Sequence, residues 1–376
     1  MSFPLKRVLL AGISGGFVAT AMLTASGPAS ALDEQVVIDR AIANVKKFSG
    51  KQTEWDGPTA GPALAKGKSL VYLSGDEQND ISRLYGVYMK DAVEKIGWKL
   101  TIIDGRGSPT SWLAGLNQGI ALKPDGIVMF ADAASLQEPL KVAAAQGIPV
   151  VGIHAAANPG VQPALNLFFN IQQDTVAIGQ AEADWIIAQS KGKAKVVVLT
   201  HNEYAIAATK SGATRDRIKE CTGCTLLEYV NSPASEAAQR MPQLTTSWVQ
   251  RFGLPLYATS VGDNDWDFAV PVLRSAGVKP AEAVLVAADG NRSAYERIRN
   301  GQYQLVTVSE PIELQAFQAI DELNRAFNKA PPSGYIQNPY LVTPDNVNIE
   351  GGDKNAFFPG NGYRARYFKL WGVDAK

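Results

Sequence analysis

The chain has two cysteines and two histidines in 376 residues, and its 36 Lys plus Arg are balanced by 36 Asp plus Glu. Each scarcity removes a class of protein. A balanced charge leaves no electrostatic footprint for nucleic acid or an anionic membrane surface. His154 and His201 stand in no H-x-x-x-H or Cys/His spacing, so no zinc site is expected. No cofactor is expected either. The apolar run from Val8 to Leu23 is interrupted by Gly and Ser and falls short of the ~20 apolar residues that span a bilayer. Lys6 and Arg7 precede that run, and Ala29-Ser30-Ala31 follows it as an A-x-A cleavage pattern. Residues 1–31 are therefore read as an export signal, which places the mature chain in the periplasm or another extracytoplasmic space. No cysteine follows the cleavage point that could carry a lipid.

Several catalytic patterns fail on context. Gly12-Ile13-Ser14-Gly15-Gly16 has the G-x-S-x-G form of a nucleophile elbow but lies inside the export signal, where no strand-turn-helix can form. Gly61 to Ser69 resembles a phosphate loop, with five residues between the glycines instead of four. It also precedes a predicted strand, where a phosphate loop must follow one. No serine stands on a strained elbow beside either histidine, so hydrolase chemistry has no support and the protein is not expected to be an enzyme. Cys221-Thr222-Gly223-Cys224 has the C-x-x-C form of a redox pair, but follows a predicted helix and leads into a strand. In an oxidising compartment it reads as a short disulfide tying off a helix end.

What the sequence has in abundance is alternation. From Lys68 onward, apolar runs bounded by Gly, Pro and Asp alternate with stretches of helical period, which marks βαβ units and parallel sheets. Strands are predicted at 69–74, 100–103, 126–130 and 149–153, with helices at 83–96, 111–122 and 136–146 between them. The pattern then restarts, with helices at 175–190, 208–220, 235–251, 267–275 and 292–300, and strands at 195–200, 225–230, 256–261, 283–287 and 305–308. A chain this long exceeds the ~250–300 residues at which one core divides. Two similar blocks imply two doubly wound lobes, whose strand carboxyl ends face a crevice. Residues 32–60 read as a helix (36–48) and a linker, residues 61–170 plus 311–340 as the N-terminal lobe, and residues 171–310 plus 341–376 as the C-terminal lobe and an aromatic tail.

Ligands of such folds bind beyond the strand ends, so the residues following each strand are the candidates. They are Asp76 to Asp80, Asp132, His154, Asn202, Asp263 to Trp266, Asp289 and Glu310. Amides offer donors and acceptors, carboxylates accept two hydroxyl hydrogens, and a ring such as Trp266 can cover the C–H face of a sugar. That chemistry suits a neutral, polyhydroxylated small molecule. Asp and Asn at strand ends also cap helices and make turns, so the assignment rests on the set and not on any single member.

The stretches Ser74 to Tyr85, Asp125-Gly126-Ile127-Val128, Gly147-Ile148-Pro149-Val150-Val151, Asp174 to Gly179, Asp289-Gly290 and Val306 to Pro311 occur in an order and spacing that resembles the type I periplasmic binding proteins. Within that family the chain is similar to the ribose- and galactose-binding cluster, from about Lys66 to about Pro344. The resemblance implies a three-segment hinge near 169–173, 310–311 and 338–341. It also implies ligand contacts at Asn79, His154, Asn202, Lys210 or Ser211, Asp265, Asp289 and Glu310, to which the crevice list adds Asp80 and Trp266. The implied partners are a sugar or polyol and the permease of an ABC transporter, met by a monomer. A sensory binding protein that hands its closed form to a membrane kinase or chemoreceptor shares the same fold and site. The first shell departs from the family pattern, which has Asn-Pro-Phe where this chain has Asn79-Asp80-Ile81, Asp where His154 stands, and Gln or Asn where Glu310 stands. Those changes move the expected ligand from ribose or galactose towards a linear polyol or an unusual sugar.

Overall fold

The computed structural model of the protein describes residues 34–374, so the export signal read at 1–31 lies outside the described residues. Two six-stranded sheets carry the fold. The first comprises β1 (Ser69–Ser74), β2 (Lys99–Asp104), β3 (Gly126–Met129), β4 (Val150–Ile153), β5 (Gly160–Gln162) and β6 (Leu167–Ile171). Its spatial order is β2-β1-β3-β4-β6-β5, parallel except for β5. The second comprises β7 (Lys195–Thr200), β8 (Thr225–Asn231), β9 (Leu256–Thr259), β10 (Ala283–Asp289), β11 (Gln304–Ser309) and β12 (Leu341–Val342). Its order, β8-β7-β9-β10-β11-β12, repeats the first, and its last strand is again a short antiparallel one.

Helices α2 (Asp80–Lys95), α3 (Pro109–Ala121) and α4 (Gln137–Ala145) connect the first sheet, and α5 (Thr175–Ser190) opens the second lobe. The second sheet is connected by α6 (Ala205–Lys219), α7 (Ala237–Phe252), α8 (Asp265–Ser275) and α9 (Arg292–Arg299). Strands β1, β3 and β4 are apolar and buried almost throughout, as expected of parallel strands covered on both faces. Each sheet therefore has a core on either side of it.

Three segments pass between the lobes, at residues 172–174, at Glu310–Pro311 and shortly before β12. Gln173 joins them. It is fully buried, and its Nε2 donates to Ser309 O at 3.1 Å and Asn338 O at 3.0 Å, one carbonyl on each of the other two segments. Buried carbonyls left unpaired would cost about 1–3 kcal/mol each, so this one amide fastens the hinge.

Strands β5, β6 and β12 and two helices escaped the sequence pattern. Helix α10 (Ile312–Phe327) follows the second crossing and is buried around nearly its whole circumference, so it has no polar face to reveal a helical period. Its buried charges are paired: Arg325 binds Asp321 at 2.7 Å, and Trp371 Nε1 donates to the same carboxylate at 2.8 Å. Helix α11 (Tyr363–Trp371) packs with it, placing Tyr363, Tyr367, Phe368 and Trp371 in the core of the first lobe. The sequence grouped residues 341–376 with the second lobe, and the structure corrects this. Strand β12 and Phe357 pack there, but α11 returns to the first. The N-terminal region makes the opposite journey. Helix α1 (Glu34–Phe48) packs on α5 in the second lobe's core, while Trp55 packs with Tyr335 and Tyr367 of the first. The disulfide between Cys221 and Cys224 closes the turn after α6.

Candidate functional site

The carboxyl ends of β4 and β10 occupy matching places in the two sheets, and both finish in a left-handed residue that is not glycine: His154 with φ 53° and Asp289 with φ 95°. Such backbone costs about 1–3 kcal/mol, and here it turns a side chain off each strand end. Gly290 follows with φ 80°, and a Cβ on it would lie 2.0 Å from Ser309 Oγ, so only glycine fits beside Asp289.

On the first lobe, the buried His154 ring meets Glu310 of the hinge, Nε2 to Oε2 at 2.8 Å. Tyr85 donates its hydroxyl to the same carboxylate oxygen at 3.3 Å. The imidazole also faces the rings of Phe130 at 5.0 Å and Tyr85 at 6.3 Å. Burial alone would raise the pKa of Glu310, but the His154 and Lys210 charges hold it below the usual carboxylate value. The other oxygen of this carboxylate, Oε1, is buried with no partner.

On the second lobe, Lys210 of α6 is buried and donates to Val261 O at 2.9 Å and Asp289 Oδ1 at 3.2 Å. Its burial opposes the charge, yet Asp289, Glu310 and Glu182 together keep its pKa raised. Gly179 makes the placement feasible, since a Cβ there would lie 2.1 Å from Lys210 O and hold α6 away from α5. Glu182, on α5, is buried and pushed up to about 8, chiefly by desolvation. Asp263, likewise buried, rises to about 7 through desolvation and the nearby Asp289. It accepts from Gly290 N at 2.8 Å, Asn291 N at 3.0 Å and Thr307 Oγ1 at 2.9 Å, which ties the turn after β10 to the sheet.

Of the residues expected from sequence, the structure thus brings together His154 with Glu310 and Lys210 with Asp289. The others are engaged elsewhere. Trp266 does not cover the crevice: it is fully buried in the core of the second lobe, where its indole N–H donates to Val286 O at 3.2 Å. The apolar wall beside His154 comes instead from Tyr85 and Phe130, which sequence reasoning passed over because each stands on a core-facing pattern. Asp265 is held by His201 Nε2 at 3.0 Å and by Ser260. Ser211 bonds Thr200 and Tyr229, each at 2.9 Å. Asn79 caps α2 by accepting from Ser82 N at 3.1 Å. Asp80 pairs with Arg83 at 3.0 Å on the exposed first turn of the same helix. Asn202 is exposed, with its backbone amide on Asn231 Oδ1 at 2.8 Å.

The lobes touch across the crevice. Tyr204 of the second packs on Trp112 of the first, with ring centroids 5.5 Å apart. A cavity of about 370 Å³ lies at one flank of the interface, between the start of α2, the turn Gly290–Arg292, and residues 354–358 of the tail. Glu310 lines it and so joins the cavity to the buried ionic groups. The volume falls in the range of small-molecule sites. Among the described residues there is no cluster of side chains able to hold a metal ion.

The model of the family described as "Periplasmic binding protein domain" matches residues 71–330, and the chain belongs to that family, one of periplasmic solute-binding proteins and not of enzymes. A comparison with curated protein sequences finds no match. Solved structures with the same fold include an ABC transporter solute-binding protein from Agrobacterium vitis with bound allitol, 19% identical with a TM-score of 0.67, covering 75% of this chain and 97% of that one. A second, from Bacillus halodurans C-125 with bound myo-inositol, is 17% identical with a TM-score of 0.64 and covers 75% and 97%. The arabinose-transporter binding protein from Shewanella sp. ANA-3, bound to L-arabinofuranose, is 15% identical with a TM-score of 0.66 and covers 82% and 99%.

Proposed function

We propose that the protein captures a small polyhydroxylated solute, a sugar or sugar alcohol, between its lobes in the periplasm and delivers it to the permease of an ABC transporter. The observation that carries this reading is the convergence of buried polar groups from both lobes and the hinge on one interface. Glu310 and Asp289 would accept hydroxyl hydrogens, His154 would share its second ring nitrogen with the ligand, and Tyr85 and Phe130 would face its C–H surface. Structures of the same fold bind allitol, myo-inositol and L-arabinofuranose, which agrees with that chemistry. Closure follows from differential affinity, because only the closed form lets the groups of both lobes engage one ligand. The closed pair of lobes is the surface a permease would read.

Thermal unfolding of the mature protein against pentoses, hexoses, tetritols, pentitols, hexitols and cyclitols tests the proposal. A ligand at 100 times its Kd adds about 2.7 kcal/mol to the folded state, enough to raise the midpoint by several degrees. A rise confined to one stereochemical class is the expected result. No rise with any member, or with any matched acidic derivative, would overturn the reading.

A further inference from the structure

The charged side chains around the flank cavity do not balance once their partners are assigned. Asp80 is paired with Arg83, and Glu310 with His154. Glu313 is taken by Arg364 and by the hydroxyl of Tyr363 at 2.6 Å. Two cations are left over. Arg292 and Lys354 line the cavity, and neither side chain makes a hydrogen bond or ion pair among the described residues. Lys354 lies over the ring of Phe358 at 5.9 Å. Two wall residues, Glu310 and Asn291, also carry buried oxygens with no donor, Oε1 and Oδ1 respectively. The wall thus offers uncommitted acceptors, which suit hydroxyls, beside uncommitted cations, which do not need them.

Arg292 opens α9, whose first turn has no side-chain cap, so the positive end of the helix dipole adds to the guanidinium. Lys354 comes from the tail, outside the residues the family model matches. Its loop is fastened to the same helix: Arg299 donates to Asn348 Oδ1 at 2.8 Å and to Asn355 Oδ1 at 2.9 Å, and Asn355 Nδ2 donates to Glu296 at 3.2 Å. The tail is therefore a fixed wall of the cavity, and it brings a charge to it.

We infer that the solute carries an anionic group, a carboxylate or a phosphate, on its polyhydroxylated frame, and that Arg292 and the tail residue Lys354 select for it. The inference rests on the sugar-binding reading above and narrows it to acid derivatives. Hydroxyls meet Glu310 and Asn291 at the inner end of the cavity, and the anion meets the two cations at its rim. Both cations are exposed, so their attraction should weaken with salt.

Isothermal titration and thermal unfolding with matched pairs test this: glucitol and gluconate, galactose and galacturonate, glucose and glucose 6-phosphate, each at low and at high salt. The expected result is that an acid binds at least tenfold more tightly than its neutral partner, with the margin shrinking at high salt. Whether gluconate and galacturonate or the phosphate shows the margin identifies the group. In the Arg292→Gln, Lys354→Gln double variant, whose ligand-free melting should stay close to wild type because neither side chain has a hydrogen-bond or ion-pair partner, the acid should lose tenfold or more. A neutral sugar or polyol that binds as well as its acid, or an acid whose affinity survives in the double variant, overturns the inference and leaves the sugar-binding reading intact. No binding by any member of any pair overturns both.

Discussion

The two lobes share a strand order and differ in what they show to each other. At the ends of the first sheet stand rings, those of Tyr85, Trp112 and Phe130, with His154 as the polar group among them. At the ends of the second stand Lys210, Asp263, Asp265 and Asp289, with Glu182 just behind. Topology fixes where side chains can reach a ligand, and in the proposed site the residue choice at those positions would divide the labour: one lobe would supply surface, the other hydrogen bonds and charge. A fold repeated twice in one chain is thus not a site repeated twice.

That division can be broken experimentally. Asp289→Ala strips the central acceptor of the charged lobe and leaves Lys210 without its ion-pair partner. A hydrogen bond to a charged acceptor is worth about 1.5–3 kcal/mol, so affinity should fall well beyond tenfold by titration calorimetry, while far-ultraviolet circular dichroism stays unchanged. Phe130→Ala removes a face from the aromatic lobe and should cost about tenfold, the scale of one lost ring contact. If the order of these two losses were reversed, the aromatic lobe would dominate recognition and the comparison would fail.

The smallest effect concerns protonation. Burial pushes Glu182 up to about 8, so the folded protein keeps a proton that an unfolded chain releases near the ordinary value of about 4.3. Between those values the folded state binds more protons, and stability falls as pH rises, levelling off above about 8. Glu182→Gln carries no such proton. Chemical denaturation at pH 5 and pH 8.5 should show the fall in wild type and a flatter response in the variant.

Much of this architecture was legible in the sequence because parallel strands covered on both faces are nearly pure apolar runs. The alternation gave most strands to within a residue or two, and the restart after residue 171 announced the second lobe. Helix α10 was illegible for the opposite reason: it is buried on nearly every side, and its Asp321, Glu322 and Arg325 look like solvent-facing residues while Asp321 and Arg325 pair with each other and Glu322 accepts from Ser333. The site was readable only in part. Strand-end position drew attention to His154, Asp289 and Glu310, but it drew equal attention to Trp266, whose place in the first turn of α8 points it at the core. Nothing local marked Tyr85 or Gln173. The first is one apolar residue among several on α2, and the second acts through two carbonyls far along the chain. The left-handed backbone at His154 and Asp289 also left no trace, since glycine is the usual sign of such a conformation.

The placement of α11 has a consequence for how the molecule is made. The core of the first lobe contains Tyr367, Phe368 and Trp371, so that lobe cannot close its interior until synthesis has passed Trp371, although its first strand begins at Ser69. The second lobe, whose sheet is complete at β12, can assemble its core earlier. A nascent chain therefore carries an unfinished N-terminal half through almost all of its synthesis.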